Sequence, residues 1–209
     1  MNYIEFRQKM EDFPLFSTKE LKLILRTEFN RSFLNNLENW KKKGYILQLK
    51  KGLYLLGHLR HAVDPMVLAS KMYPPAYVSL EKALGYYGII PEAVFVTTCV
   101  TSRETKEISN DFGKFTFRKI KKTAFGGYEA IGKKELGISF NLALPEKALV
   151  DFFYLNRNML DGSQLQFESY RFSDDFKYNK NKLIKFAKFF ENKKVLELTN
   201  NFIKFYVAG

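Results

Sequence analysis

The sequence predicts an α+β chain in two parts: a winged helix-turn-helix over residues 1–62, and a larger α+β domain over residues 63–209. The larger part is expected to hold a small, mainly antiparallel sheet and C-terminal helices. Three observations lead there. Apolar residues recur three times at helical spacing before position 44, and a glycine-bearing hairpin pattern follows them. β-branched runs punctuated by glycine fill the middle of the chain, and lysine-rich amphipathic stretches close it. With 46% apolar residues, 21 Phe and 12 Tyr, the 209 residues suffice for a real core.

Tyr3, Phe6, Met10 and Phe13 form one helical stripe, which Pro14 closes. Ser17 stands three residues before Glu20, the spacing of a capping box, so a second helix begins there and turns Leu21, Ile24 and Leu25 inward. Asn30 caps a third helix, which buries Phe33, Leu37 and Trp40 and stops at Gly44. Tyr45 to Leu49 and Leu53 to Leu56 then read as two short strands around Lys50, Lys51 and Gly52. Three helices and a hairpin in this order form a winged helix-turn-helix, whose third helix enters the major groove of DNA.

The outward face of the third helix offers Arg31, Ser32, Asn35, Asn36 and Asn39, with Lys42 and Lys43 at its end. Arginine can bond guanine, and asparagine adenine, through paired hydrogen bonds. Lysines at the helix end and at the hairpin, Lys50 and Lys51, act on phosphates. Taken singly, each of these residues also fits an ordinary solvated face. The formal charge is +12, from 34 Lys and Arg against 22 Asp and Glu, and residues 1–62 carry 12 basic and six acidic side chains. Such an excess attracts polyanions; on charge alone nucleic acid, an acidic protein surface and anionic lipid all remain open.

From His58 to Asp64 the pattern lapses, and Pro65 leads Met66-Val-Leu-Ala-Ser70, so the second part is expected from Val63. Ser79 is placed to cap a helix with Leu80, Ala83, Leu84 and Tyr87 on one face, ended by Gly88. Strands are expected at Val94 to Val100, Lys114 to Ile120, Tyr128 to Ile131 and Leu136 to Phe140. Pro145 opens a helix that buries Ala148, Leu149, Phe152 and Phe153. Leu183 to Phe190 and Val195 to Phe205 are amphipathic helices, and residues 177–204 hold eight lysines against two glutamates.

Several chemistries lack their residues. Cys99 is the one cysteine, which excludes an internal disulfide and a zinc site of several thiolates. No run of about 18 apolar residues occurs, so an unanchored, cytoplasmic protein is expected. Gly127-Tyr-Glu-Ala-Ile-Gly-Lys133 matches the first seven positions of a phosphate-binding loop, but Lys134 takes the place of Ser or Thr and strands flank the segment. A basic hairpin turn is the expected reading. His58 and His61 have no Cys or carboxylate cluster beside them, and Glu104-Thr-Lys106 lacks the strand-borne Asp of a nuclease metal centre. The expectation is no catalysis, no cofactor and no metal.

Four segments remain: Lys43-Gly-Tyr-Ile46 with Lys51-Gly-Leu-Tyr54; Tyr77-Val-Ser-Leu-Glu-Lys-Ala-Leu-Gly-Tyr-Tyr-Gly88 with Ile90-Pro-Glu92; Val100-Thr-Ser-Arg103 with Phe112-Gly-Lys-Phe115; and Leu144-Pro-Glu-Lys-Ala-Leu-Val-Asp151. In order and spacing they resemble the AbiEi-type antitoxins of bacterial type IV toxin-antitoxin and abortive-infection systems, over about the first three quarters of the chain. Beyond Phe167 nothing matches. The resemblance implies a two-domain antitoxin that binds double-stranded operator DNA as an autorepressor and counteracts a nucleotidyltransferase-like toxin. It points to Glu81, Lys82, Arg103, Glu146, Lys147 and Asp151 without assigning their roles. Lys147 and Asp151, four apart, also read as a helix-surface ion pair, and Glu146 as a residue that favours a helix start. The alternative is a winged-helix transcription factor whose second domain senses a small molecule.

Overall fold

A computed structural model describes residues 1–133 and 138–207. Asn2 begins helix α1 (Tyr3–Lys9): its side chain accepts from the Glu5 N–H at 3.0 Å, and the Glu5 carboxylate accepts from the Asn2 N–H at 2.9 Å. Ser17 and Glu20 close the same reciprocal box at the start of α2 (Thr18–Leu25). Asn30 caps α3 (Arg31–Lys42) by accepting from the Phe33 N–H at 3.0 Å. Each cap satisfies a backbone donor that the first helical turn leaves without a partner.

The three helices bury Phe6, Leu21, Leu25, Phe33, Leu37 and Trp40 in one cluster. Phe13, expected on the same stripe, is 51% exposed, because α1 ends at Lys9 and the chain turns into a short strand, β1 (Leu15–Ser17). A strand of three residues is too short to show alternation in the sequence. β1 pairs antiparallel with β3 (Leu53–Leu56), which pairs antiparallel with β2 (Ile46–Lys50).

β3 is the central strand of this small sheet and is buried along its whole length. Side chains alternate across a strand, so Tyr54 and Leu56 join the helix cluster, while Leu53 and Leu55 enter a second and larger one. Leu49 of β2 does the same. The hairpin is therefore shared between two cores. That explains why Leu53-Tyr-Leu-Leu56 is an unbroken apolar run rather than an alternating one.

The second core surrounds a six-stranded sheet in the order β6-β7-β5-β4-β9-β8. Its strands are β4 (Ala76–Val78), β5 (Thr97–Thr101), β6 (Lys106–Asn110), β7 (Gly113–Lys119), β8 (Tyr128–Lys133) and β9 (Ile138–Ala143). Three pairings are antiparallel and two, β5 with β7 and β4 with β9, are parallel. The sheet is thus mixed: three of its five pairings have the antiparallel sense expected and two are parallel, because an alternation pattern marks a strand but not the direction of its neighbour. The expected strand at Val94 starts only at Thr97, since the Val94 carbonyl accepts from Lys82 Nζ at 3.0 Å instead of joining a ladder. Of the strand expected from Leu136, residues 136 and 137 lie outside the described residues.

Among the described residues six α-helices complete this part: α4 (Pro65–Met72), α5 (Leu80–Tyr86), α6 (Pro145–Asn156), α7 (Gln164–Ser169), α8 (Lys180–Phe189) and α9 (Lys193–Tyr206). α6 packs against α5, α8 and α9, and Phe153, Phe167 and Phe202 meet there with ring centroids 5.6–5.7 Å apart. Among the described residues no helix is long and apolar enough to cross a membrane.

Candidate nucleic-acid interface

With Phe33, Leu37 and Trp40 turned inward, the helical period leaves Arg31, Ser32, Asn35, Asn39 and Lys42 exposed on α3. Lys43, at the C-terminal cap, is exposed as well. Asn36 is half-buried, and its Nδ2 donates to the Met1 carbonyl at 3.3 Å. Lys41 pairs with Glu38 at 2.9 Å, whereas Lys42 and Lys43 make no ion pair among the described residues.

The hairpin distributes its two lysines differently from the expectation of a doubly charged tip. Lys51 is exposed beside Gly52, whose φ of +79° makes the turn. Lys50 ends β2 next to a register shift between Gln48 and Lys50, and its ammonium donates to the Met72 carbonyl. A bulge of this kind re-aims a side chain. Burial pushes the Lys50 ammonium pKa down, and the nearby cations Lys106 and Arg103 push the same way.

Arg103 and Lys106 both stand over the Tyr73 ring, at 4.5 and 5.4 Å from its centroid, and Arg103 Nη1 donates to the Pro74 carbonyl at 3.1 Å. Lys50, Arg103 and Lys106 therefore gather around Met72–Pro74, none with a carboxylate partner among the described residues. The hairpin lies against the edge strand β6 here: Asn110 Nδ2 donates to the Leu49 carbonyl at 3.1 Å, and Arg60 meets Asp111 at 3.4 Å. Sequence reasoning assigned Lys50 and Arg103 to separate functions and missed Lys106, because only the fold brings β6 to the hairpin.

No family model matches the chain, and no curated protein is similar enough to count as a relative.

The six residues singled out by resemblance fall in several places. Arg103 belongs to the basic group just described. Glu81 is half-buried on α5, and Lys82 is bound to the Val94 carbonyl. Lys147 and Asp151 are wholly buried rather than on a helix surface; their charged ends meet, Tyr77 Oη and Ser79 Oγ donate to Asp151 Oδ2 at 2.9 and 2.8 Å, and Lys147 Nζ donates to Tyr77 Oη at 2.9 Å. Burial raises the Asp151 carboxyl and lowers the Lys147 ammonium, while their contact opposes both shifts and the two hydroxyls oppose that of Asp151. Glu146 is also buried: Oε1 accepts from the Asn179 N–H at 3.0 Å, and Oε2 has no hydrogen-bond partner among the described residues.

Ser79 stands at the N-cap of α5, yet its hydroxyl serves Asp151, and the Lys82 N–H is satisfied instead by Thr98 Oγ1 at 3.1 Å. The expected cap thus passes from a neighbour in sequence to a neighbour in space. Gly127 to Lys133 carries no phosphate-loop geometry, since Tyr128–Lys133 is strand β8, paired antiparallel with β9; Lys134 lies outside the described residues. His58 and His61 are exposed, and Glu104 pairs with Lys119 at 2.6 Å. Among the described residues no three His, Cys, Asp or Glu side chains gather as metal ligands.

Proposed function

We propose that this chain is an operator-binding autorepressor and antitoxin of the AbiEi type, with residues 1–57 acting as a winged helix-turn-helix. The observation that carries the DNA half is the exposed stripe of Arg31, Asn35, Asn39 and Lys42 on a capped helix, followed by a hairpin with an outward Lys51. In this reading Arg31, Ser32, Asn35 and Asn39 read base edges, while Lys42, Lys43 and Lys51 contact phosphates and Lys50, Arg103 and Lys106 add positive potential beside the hairpin. The antitoxin half rests on the resemblance of the Tyr77–Gly88 and Leu144–Asp151 segments.

Gel-shift titration with the DNA upstream of the chain's own gene tests the first half. Affinity should fall steeply with salt, because each phosphate contact releases counterions; a flat salt dependence overturns it. For the second half, cutting the chain near Val63 is unsuitable, since Leu49, Leu53 and Leu55 would leave the larger core. The full chain carrying Arg31→Ala, Asn35→Ala and Asn39→Ala should lose operator binding and still rescue growth when co-expressed with the toxin encoded beside it. Failure of a folded variant and of the unaltered chain to rescue overturns the antitoxin role.

A further inference from the structure

Between α5, the segment Ile90–Val96 and strands β5 to β7 lies a cavity of about 880 Å³, a size that admits a small organic molecule. Alternation along β7 sends Phe115 and Phe117 into the core and leaves Lys114, Thr116 and Arg118 lining the cavity. Leu84, Val94, Phe152, Tyr170 and Phe172 line its walls. Phe95, also lining it, is 90% exposed.

Six charged side chains line this space, and five of them have partners. Arg118 donates to the Leu155 carbonyl at 3.0 Å and to Asn156 Oδ1 at 3.3 Å. Lys114 pairs with Glu107 at 2.9 Å, Glu92 with Arg171 at 3.5 Å, and Lys106 is over the Tyr73 ring. The sixth is Glu81, half-buried on α5, whose carboxylate has neither ion pair nor side-chain hydrogen bond among the described residues. Of the three carboxylates at the cavity, Glu81 alone is left without a cationic partner among the described residues although the chain carries a net charge of +12, so it is the one placed to accept a charged hydrogen bond from a ligand.

We propose that the cavity binds a small organic cation, an ammonium or guanidinium carried on an apolar body. Glu81 accepts the charged hydrogen bond, and Phe95, Phe152, Tyr170 and Phe172 cover the body and present ring faces to the cation. This holds whether or not the chain represses transcription.

Calorimetric titration of the full chain with three indoles tests it: tryptamine carries the cation, indole none, and indole-3-acetate the opposite charge. Tryptamine should bind at least about tenfold tighter than indole, with indole-3-acetate weakest despite the protein's net positive charge. Glu81→Gln should bring tryptamine down to the affinity of indole and leave indole unchanged, which also shows the variant cavity intact; Phe95→Ala should weaken tryptamine and indole together. Indole-3-acetate binding as tightly as tryptamine, a tryptamine preference that survives Glu81→Gln, or no tryptamine binding at millimolar concentration each overturns the proposal.

Discussion

Lys147 and Asp151 face each other one turn apart on α6 with both side chains fully buried, and Tyr77 and Ser79 bind the same carboxylate oxygen. Taking away one member leaves an uncompensated buried charge, at a cost of about 3–5 kcal/mol, whereas neutralising both costs much less. Lys147→Met should therefore lower the unfolding free energy by roughly that amount. Adding Asp151→Asn, which removes the unpaired charge and keeps an acceptor oxygen for Tyr77 and Ser79, should restore a large part of the loss. Urea titrations of the two variants decide; a double variant no more stable than Lys147→Met would show that the pair does not act as a unit.

Asn35 and Asn36 are neighbours in sequence with different surroundings, one exposed and the other half-buried and bonded to the Met1 carbonyl. Asn35→Ala should change the preferred base at one operator position by about 1–3 kcal/mol and leave stability within about 0.5 kcal/mol. Asn36→Ala should instead cost about 1 kcal/mol of stability through the lost hydrogen bond. Binding-site selection beside urea melts separates them. Equal changes in base preference would put Asn36 on the DNA too.

These neighbours also show what the sequence discloses. Helical period and caps were legible at Asn30, Ser17 and Glu20, because a cap acts within three residues of itself. Asn36 has the same residue type as Asn35 and is also expected on the outward side, because its bond to a residue 35 positions away leaves no local mark. β4 and β6 stayed hidden for two reasons: one has three residues, and the other is the polar edge strand Lys-Glu-Ile-Ser-Asn. Lys147 and Asp151 carried the spacing of a surface pair, and only the closure of α8, α9 and β4 around α6 makes them interior. The basic group at Tyr73 needed the hairpin to dock on β6, a contact no local pattern encodes.

Lys50 and Lys51 are adjacent and should separate stability from DNA binding. Lys51 is exposed at the turn, so Lys51→Ala should reduce the salt slope of operator binding by about one unit and leave the melting curve unchanged. Lys50→Met removes the donor to the Met72 carbonyl that ties the hairpin to the larger core. A hydrogen bond from a charged group is worth about 1.5–3 kcal/mol, so thermal unfolding should come earlier in Lys50→Met. Identical melts for both variants would contradict this division.

Stability should decline on the alkaline side. Burial raises the hydroxyl pKa of Tyr3, Tyr77, Tyr178 and Tyr206, raises that of Tyr87 from 10.0 to about 12, and raises the Cys99 thiol. Above the ordinary values of these groups the unfolded chain releases protons that the folded chain keeps, so the folded state binds more protons and the slope of stability with pH is negative. The tyrosine contributions are complete below about pH 9 and that of Cys99 below about pH 8, and each is lost as the pH rises through the folded value. Lys147 and Lys50 act in the opposite sense, because their lowered ammonium pKa makes the unfolded chain the better proton binder below 10.5; two such groups stand against six. Urea midpoints should hold steady up to about pH 8.5 and fall by about pH 11. Tyr87→Phe, which deletes one of the six groups and its bond to the Ala143 carbonyl, should start from a lower midpoint and decline less steeply. A midpoint that does not move across this range would mean that these hydroxyls titrate alike in the folded and unfolded chain.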